Sequence, residues 1–330
     1  MYESGSLGKN NKEMIADMTD KDLWEQIKSE YSNKNIYLLD NFRSIDGFNK
    51  RLGAWSPITN NSRYYKSLLL EFCKHLDFKI SHSLGSKESS PLQINSGGGL
   101  RHYLGKIKNR DLGNPTTIKY CDMDIDMDYL LSVEEMFFLE DVLIDSKNIL
   151  EIGAGFGRLV HSIIQNYPNI NKYYVVDLDW MLELSSKFLK KVLSSEDFKK
   201  VEFVTNTDYM NLEDIDLVIN IDSFQEIEEK VIKTYLRFIS EKSRFFYSKN
   251  TVCKYHPSSV DIELVDENQF YATLKMGLCR EVIDIFDSSE LEIAKKNYIV
   301  KYCPSSFETL KHQDCFGQYL YCYSVLYKKS

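Results

Sequence analysis

The chain has 330 residues, 43% of them hydrophobic, and a formal net charge of -8. Such a length and apolar content support a large core in one domain or two. The acidic balance argues against a nucleic-acid scaffold, whose surface is normally basic.

No apolar run reaches the ~18–20 residues of a membrane span, and "MYESGSLGKNNKEM" at the start lacks the apolar stretch of a secretory signal. From Asp20 to Leu76 the spacing is mainly helical: "DLWEQIKSEY" (22–31) and "RYYKSLLLEFCKHL" (63–76) repeat apolar residues every three or four positions. Gly47, Gly53 and Pro57 break the stretch between them. Ser81 to Pro115 is rich in glycine, serine and cations and reads as a lid over a site. "LLSVEEMFFLEDVL" (130–143) returns to helix, with Ser132 as the cap and Glu135 as its capping-box partner.

From residue 148 the rhythm changes. Short apolar strands at 148–152, 172–178, 201–205, 215–222 and 243–250 alternate with helices at 158–167, 181–193 and 229–240. This alternation implies right-handed βαβ units and a parallel sheet covered on both faces. The run 317–328 suits a last strand, and 278–286 fits strand and helix equally. The expected organisation is a mainly helical portion, 1–129, followed by a doubly wound α/β domain, 130–330. The seven cysteines, odd in number and without C-x-x-C spacing, point to buried free thiols in a reducing cytoplasm.

"NILEIGAGFGRLV" (148–160) forms the first strand-to-helix turn, where open parallel sheets bind ligands. The dinucleotide pattern G-x-G-x-x-G fails there, because the sixth position is Arg158 counted from Gly153 and Val160 counted from Gly155. What remains is acid-x-G-x-G-x-G, with Glu151 as the acid. Asp177 ends the next strand 20 residues after Gly157, placed to accept both hydroxyls of a ribose. Asp208 follows the third strand. Each has an ordinary alternative: Asp177 as a helix cap, Asp208 as an Asx-turn.

The pattern acid-x-G-x-G-x-G resembles the first motif of class I S-adenosylmethionine-dependent methyltransferases. "GNP" (113–115), "EIGAGFGRL" (151–159), Asp177-Leu178, "INIDSFQEI" (219–227), Tyr235 and "FYSKN" (246–250) together resemble the sugar O-methyltransferases over roughly Gly113 to Asn250. One departure is Asp179-Trp180 where that family has proline and an acid. The resemblance implies a seven-stranded, mostly parallel Rossmann-like sheet. It also implies an S-adenosylmethionine site of Glu151, Gly153, Ala154, Gly155, Gly157, Asp177, Leu178, Asp208, Tyr209 and Asn220, with Trp180 either stacked on adenine or packing its helix.

Methyl transfer to a poorly nucleophilic sugar hydroxyl calls for a base, or a metal that lowers the hydroxyl pKa. Glu226, His256 and His102 are the candidate bases. Glu226 taken alone reads rather as a favourable charge at a helix start. Asp222, Ser223, Gln225, Asn250 and Arg101 are expected to bind the acceptor. Asp222 and Glu226 would also suit Mg2+, which nothing in the spacing requires. Arg101, Lys106, Lys108 and Arg110 in the suspected lid would favour a phosphorylated or nucleotide-linked sugar; a homodimer is allowed. The competing readings are a methyltransferase of another small anionic acceptor, a nicotinamide-dependent oxidoreductase and a binding module without turnover.

Overall fold

The computed structural model describes residues 28–29, 39–44, 62–85, 98–256, 273–316 and 321–330. The helix expected over 22–31, save Lys28 and Ser29, and residues 86–97 of the expected lid lie outside them.

Nine strands and seven principal helices carry the fold among the described residues. Helices α1 (Ser62–Gly85) and α2 (Gly98–Leu104) precede a small hairpin, β1 (Ile118–Tyr120) and β2 (Met123–Ile125). Next come α3 (Met127–Leu143), β3 (Asn148–Ile152), α4 (Arg158–Asn166), β4 (Lys172–Val176), α5 (Asp179–Val192) and β5 (Val201–Val204). The chain ends with β6 (Ile215–Ile221), α6 (Glu229–Lys242), β7 (Ser243–Thr251), α7 (Ser288–Lys301), β8 (Phe307–Asp314) and β9 (Cys322–Lys329).

The sheet has seven strands in the order β5-β4-β3-β6-β7-β9-β8. β5, β4, β3, β6 and β7 are mutually parallel, and β9 runs antiparallel to both β7 and β8. The fold class is therefore the doubly wound, mostly parallel α/β sheet expected. Continuous burial along β3, β6 and β7 follows from helices covering both faces. On one face α3, α4 and α5 pack in a single core with α1, α2 and residues 39–42, so no break in the core falls at residue 129. On the other face lie α6 and α7. Edge strand β8 is largely exposed and carries Glu308, Lys311 and Asp314, charges that discourage pairing with another chain.

The sheet order reverses beside β3, whose neighbours are β4 and β6. A ligand crevice opens at the carboxyl ends of the strands at such a point. The glycine turn after β3 sits there.

The cap expected for α3 is corrected. The helix starts at Met127, and the side chain of Asp126 accepts the Tyr129 N–H. Met127, Leu130 and Leu131 are already on its buried face, so the apolar period begins a turn earlier than Ser132. Ser132 and Glu135 instead hold Arg158. The run 278–286 is neither helix nor strand apart from a bridge between Lys254 and Val282. All seven cysteines are unbridged. Among the described residues, no helix is long and apolar enough to cross a membrane.

Candidate functional site

The three glycines of the turn do different work. A Cβ on Gly153 would fall 2.4 Å from the Ser223 side chain, so Gly153 lets the loop after β6 close against the turn. A Cβ on Gly157 would press on Leu189 of α5 at 3.0 Å. At Gly155 a Cβ would meet nothing within 4 Å. Its bare backbone faces open space, as close approach of a ligand requires. The turn's apolar side chains point inward: Ala154 and Phe156 are buried.

Asp177 ends β4 beside this turn. Its Oδ2 accepts the Gly155 N–H at 2.9 Å and its Oδ1 the Leu178 N–H at 2.8 Å. Desolvation raises its pKa to about 6, against the pull of those two N–H donors. An ionised carboxylate has about four acceptor positions, so two remain for a ligand's hydroxyls. The half-buried carboxylate thus fits the ribose expected of it, while also fastening the turn. Leu178 is the N-cap residue of α5 and makes no side-chain cap bond.

Glu151 is buried beneath the turn. It accepts the Tyr173 hydroxyl at 2.7 Å, and burial pushes its pKa up to about 7. That bond links β3 to its neighbour β4 just before the turn. Beside it, Arg158 grips Glu135 through both oxygens (2.6 and 2.8 Å), and the fully buried Lys249 of β7 bonds Glu135 at 3.0 Å and Glu134 at 3.3 Å. This ion cluster ties α3, α4 and β7 together under the crevice. Its paired cations hold the Glu135 carboxyl below its ordinary pKa despite burial.

A second clamp lies at the strand ends. Asn220, fully buried, donates to Ile152 O and Ser223 Oγ and accepts from Asn250 Nδ2. Asn220 and Asn250, expected to touch cofactor and acceptor, join the ends of β3, β6 and β7 instead. Gln225 accepts the Thr251 N–H through Oε1 at 2.8 Å, so its side chain is also engaged in holding the loop. Asp222 stands at φ 54 where β6 ends, with its N–H bonded to Lys249 O. Glu226 closes a short 3-10 turn, half-buried, next to the residues that come after β7. His256, exposed, lies on that segment.

Asp208, beyond the end of β5, is exposed; its carboxylate accepts the Thr205 hydroxyl and its N–H donates to Thr205 Oγ1, a threonine-capped local turn. Tyr209 is buried, stacked on Tyr235 at 4.7 Å, so its ring belongs to the core. Trp180 is also buried in the core, which favours its helix-packing role.

His102 and Arg101 are not brought to the crevice. They lie on α2, which packs on α1 and α3. The adjacent Tyr103 hydroxyl lies beside Glu140 and Tyr167, which belong to the opposite end of the sheet, where α3 and α4 finish. Arg101 donates to Cys121 O and Arg110 to Asp124 O, so two of the four suspected lid cations bind backbone. Residues 108–114 are docked rather than mobile over a site: Lys108 N bonds Gln165, and Asn109 bonds Val192 O. Among the described residues no three His, Cys, Asp or Glu side chains form a metal-binding group.

Two features escape a reading of the sequence. Arg43, fully buried, pairs with Asp126 (2.5 Å) and Asp128 (2.9 Å) and donates to the carbonyls of Arg110 and Leu112. Its guanidinium lies over the rings of Tyr129 and Phe156. Phe42 meets Phe156 and Phe188 edge-on, and Gly113 leaves room for Phe42 and Arg43. A strap from the N-terminal portion thus braces the glycine turn from outside. The other feature is Lys254, half-buried, whose Nζ donates to Gln225 O at 3.0 Å and whose pKa burial lowers to about 8.

No protein-family model matches this sequence, and no curated protein matches it. Solved structures resemble it loosely. The mitomycin 7-O-methyltransferase MmcR is 11% identical, with 89% of this chain and 74% of that chain covered and a TM-score of 0.41. The glycopeptide N-methyltransferase MtfA, complexed with S-adenosylmethionine, is 13% identical over 60% of this chain and 87% of its own, TM-score 0.41. An S-adenosylmethionine-dependent methyltransferase from Clostridium acetobutylicum is 15% identical over 61% and 91%, TM-score 0.39. At such values function has to be read from the residues.

Proposed function

We propose that this protein is an S-adenosylmethionine-dependent O-methyltransferase acting on a hydroxyl of a sugar or a phosphate- or nucleotide-linked sugar, of the kind used in bacterial surface-glycan or natural-product synthesis. The observation that carries the cofactor reading is the turn itself. The bare backbone of Gly155 faces open space at the switch point, with the Asp177 carboxylate bonded to its N–H. The acid-x-G-x-G-x-G spacing supports S-adenosylmethionine over a nicotinamide dinucleotide. The sugar acceptor rests on the motif resemblance from "GNP" to "FYSKN".

The residues fit the cofactor. Gly153 to Gly157 would lie along its amino-acid part, and the free lone pairs of Asp177 would accept its ribose hydroxyls. The bound cofactor supplies an electrophilic methyl on a sulfonium. The protein's share is alignment of an acceptor oxygen with that methyl and removal of the hydroxyl proton. The loops after β6 and β7, with Asp222, Ser223, Glu226 and His256, are the surfaces available for the acceptor.

Titration calorimetry with S-adenosylmethionine, S-adenosylhomocysteine and NADH tests the reading. Micromolar binding of the first two and none of the third is expected. Binding of NADH alone, or of none, would overturn it. Transfer of labelled methyl to nucleotide-linked or free sugars then tests the acceptor class.

A further inference from the structure

We propose that Cys315 and Cys322 form a redox-modification site, in which hydrogen peroxide converts the two thiols into a reversible disulfide. Its chemistry is independent of the cofactor that the crevice holds.

β8 ends at Asp314, which faces Tyr323 of β9. One further step of the antiparallel register sets Cys315 opposite Cys322. Directly opposed residues of such a pair have Cα atoms about 4.5–5.5 Å apart, within the roughly 4.4–6.8 Å that a disulfide spans. The two side chains share a face of the sheet. Cys315 Sγ lies 3.5 Å from the hydroxyl of Ser324, two residues on from Cys322, and the Cys315 and Cys322 thiols lie side by side.

Both flanks of the pair are pinned. The Phe316 N–H donates to Glu134 Oε1 at 2.9 Å, and the Phe316 ring stacks on His75 at 4.0 Å. On the other side the Tyr321 carbonyl accepts the Val252 N–H at 2.8 Å, and Cys322 is paired with Thr251 of β7. The fold itself therefore holds the sulfurs together, and joining them leaves the strands in register.

The surroundings assign the two roles. Cys322 is fully buried, and burial with the neighbouring Cys315 pushes its thiol well above the ordinary pKa, against the pull of the Lys249 ammonium. Cys315 is 8% exposed, just past the end of an exposed edge strand, so a water-sized oxidant meets it first. Lys249 faces Cys315 as well. A nearby cation favours the thiolate, which is the nucleophile.

The chemistry balances in two steps. The Cys315 sulfur attacks one peroxide oxygen; the S–O bond forms, the O–O bond breaks, and the departing hydroxide takes the thiol proton and leaves as water. Cys315 is then a sulfenic acid. The Cys322 sulfur attacks the Cys315 sulfur; the S–S bond forms, the S–O bond breaks, and the second hydroxide leaves as water with the Cys322 proton. The thiol pair loses two electrons and the peroxide gains them. Exchange with a small thiol such as glutathione restores both cysteines. In a reducing compartment such a bridge is transient and redox-sensing rather than structural.

The test uses the folded full-length chain. It is exposed to hydrogen peroxide, alkylated with iodoacetamide and digested with trypsin. Cleavage after Lys311 and Lys328 leaves both cysteines in one peptide, His312 to Lys328. That peptide should lose its alkyl groups and become two hydrogens lighter than its unalkylated reduced form while the other five cysteines stay alkylated, and dithiothreitol should reverse the change. In C322S the Cys315 sulfenic acid should persist and be captured by dimedone; in C315S, Cys322 should remain alkylated. The wild-type peptide map decides the matter even if neither variant folds. Full alkylation of this peptide after treatment, earlier oxidation of other cysteines, or a bridge from Cys315 or Cys322 to a different cysteine would overturn the proposal.

Discussion

A methyl group added at Gly153 and one added at Gly155 meet different surroundings, and the two alanine variants should fail differently. At Gly153 the new Cβ would sit 2.4 Å from both Cβ and Oγ of Ser223, at φ +77. The left-handed backbone costs an alanine roughly 1–2 kcal/mol, and overpacking adds about 1–3 kcal/mol. The expected loss for G153A is ~2–5 kcal/mol, read as a lower urea midpoint with unchanged slope. At Gly155 the φ is +57 and nothing lies within 4 Å, so only the backbone term of roughly 1–2 kcal/mol applies. G155A should nonetheless weaken S-adenosylhomocysteine at least tenfold, because its methyl enters the space assigned to the ligand. Removing the obstructing side chain separates the terms. S223G in the G153A background should recover ~1–3 kcal/mol as a coupling energy, although S223G alone loses the bond from Asn220. A coupling below about 0.5 kcal/mol would refute the close-approach account of Gly153. Unimpaired ligand binding by G155A would refute the ligand-facing account of Gly155.

Asp177 must be ionised to accept two hydroxyls, and its pKa is about 6. Affinity for S-adenosylhomocysteine should hold above pH 7 and fall as pH drops through 6; in D177N it should be weak throughout, by calorimetry. His161, fully buried against the Tyr129 hydroxyl, has its pKa lowered by burial to about 3 from an ordinary 6.5. The unfolded chain therefore takes up the proton first. The stability His161 confers is complete above pH 6.5 and declines toward pH 3, at up to ~1.4 kcal/mol per pH unit. H161Q should flatten that slope in urea titrations taken at pH 7, 6 and 5. R43K keeps the charge but loses the planar fork that reaches two carboxylates and two carbonyls. It should cost ~1–3 kcal/mol, and R43M, which strands Asp126 and Asp128, about 3–5 kcal/mol. A midpoint unchanged in R43M would show that the strap is ornamental.

The alternation from Asn148 to Asn250 is readable in the sequence because its central strands β3, β6 and β7 are buried along nearly their whole length and each helix presents one apolar stripe. Most of the boundaries agree within two residues. Beyond Asn250 the chain is less legible. Helix α7 has a cap signal in "DSSE", where Asp287 accepts the N–H groups of Ser289 and Glu290, but its exposed Ile293 and Val300 blur the apolar stripe. β8 is an exposed edge strand, so it lacks the apolar run that marks the others. In the site, the glycines and Asp177 are legible because backbone geometry demands them at fixed spacing. His102 misleads because a histidine in a polar stretch carries no record of which end of the sheet it will reach. Arg43 and Lys254 are invisible for a related reason: their character comes from partners far away in sequence, such as Asp126 and Asp128 for Arg43 and Gln225 for Lys254.

The Arg43 strap also sets an order of events at the ribosome. Its partner Asp128 lies 85 residues further along the chain, and Phe156 later still. At synthesis rates of about 5–20 residues per second, a translated Arg43 waits roughly 4–17 s before Asp128 is made. Throughout that interval Phe42 has no Phe156 or Phe188 to cover it. The strap can therefore close on the glycine turn only once Phe156 has been made, and its second aromatic contact, Phe188, follows after the first βαβ unit.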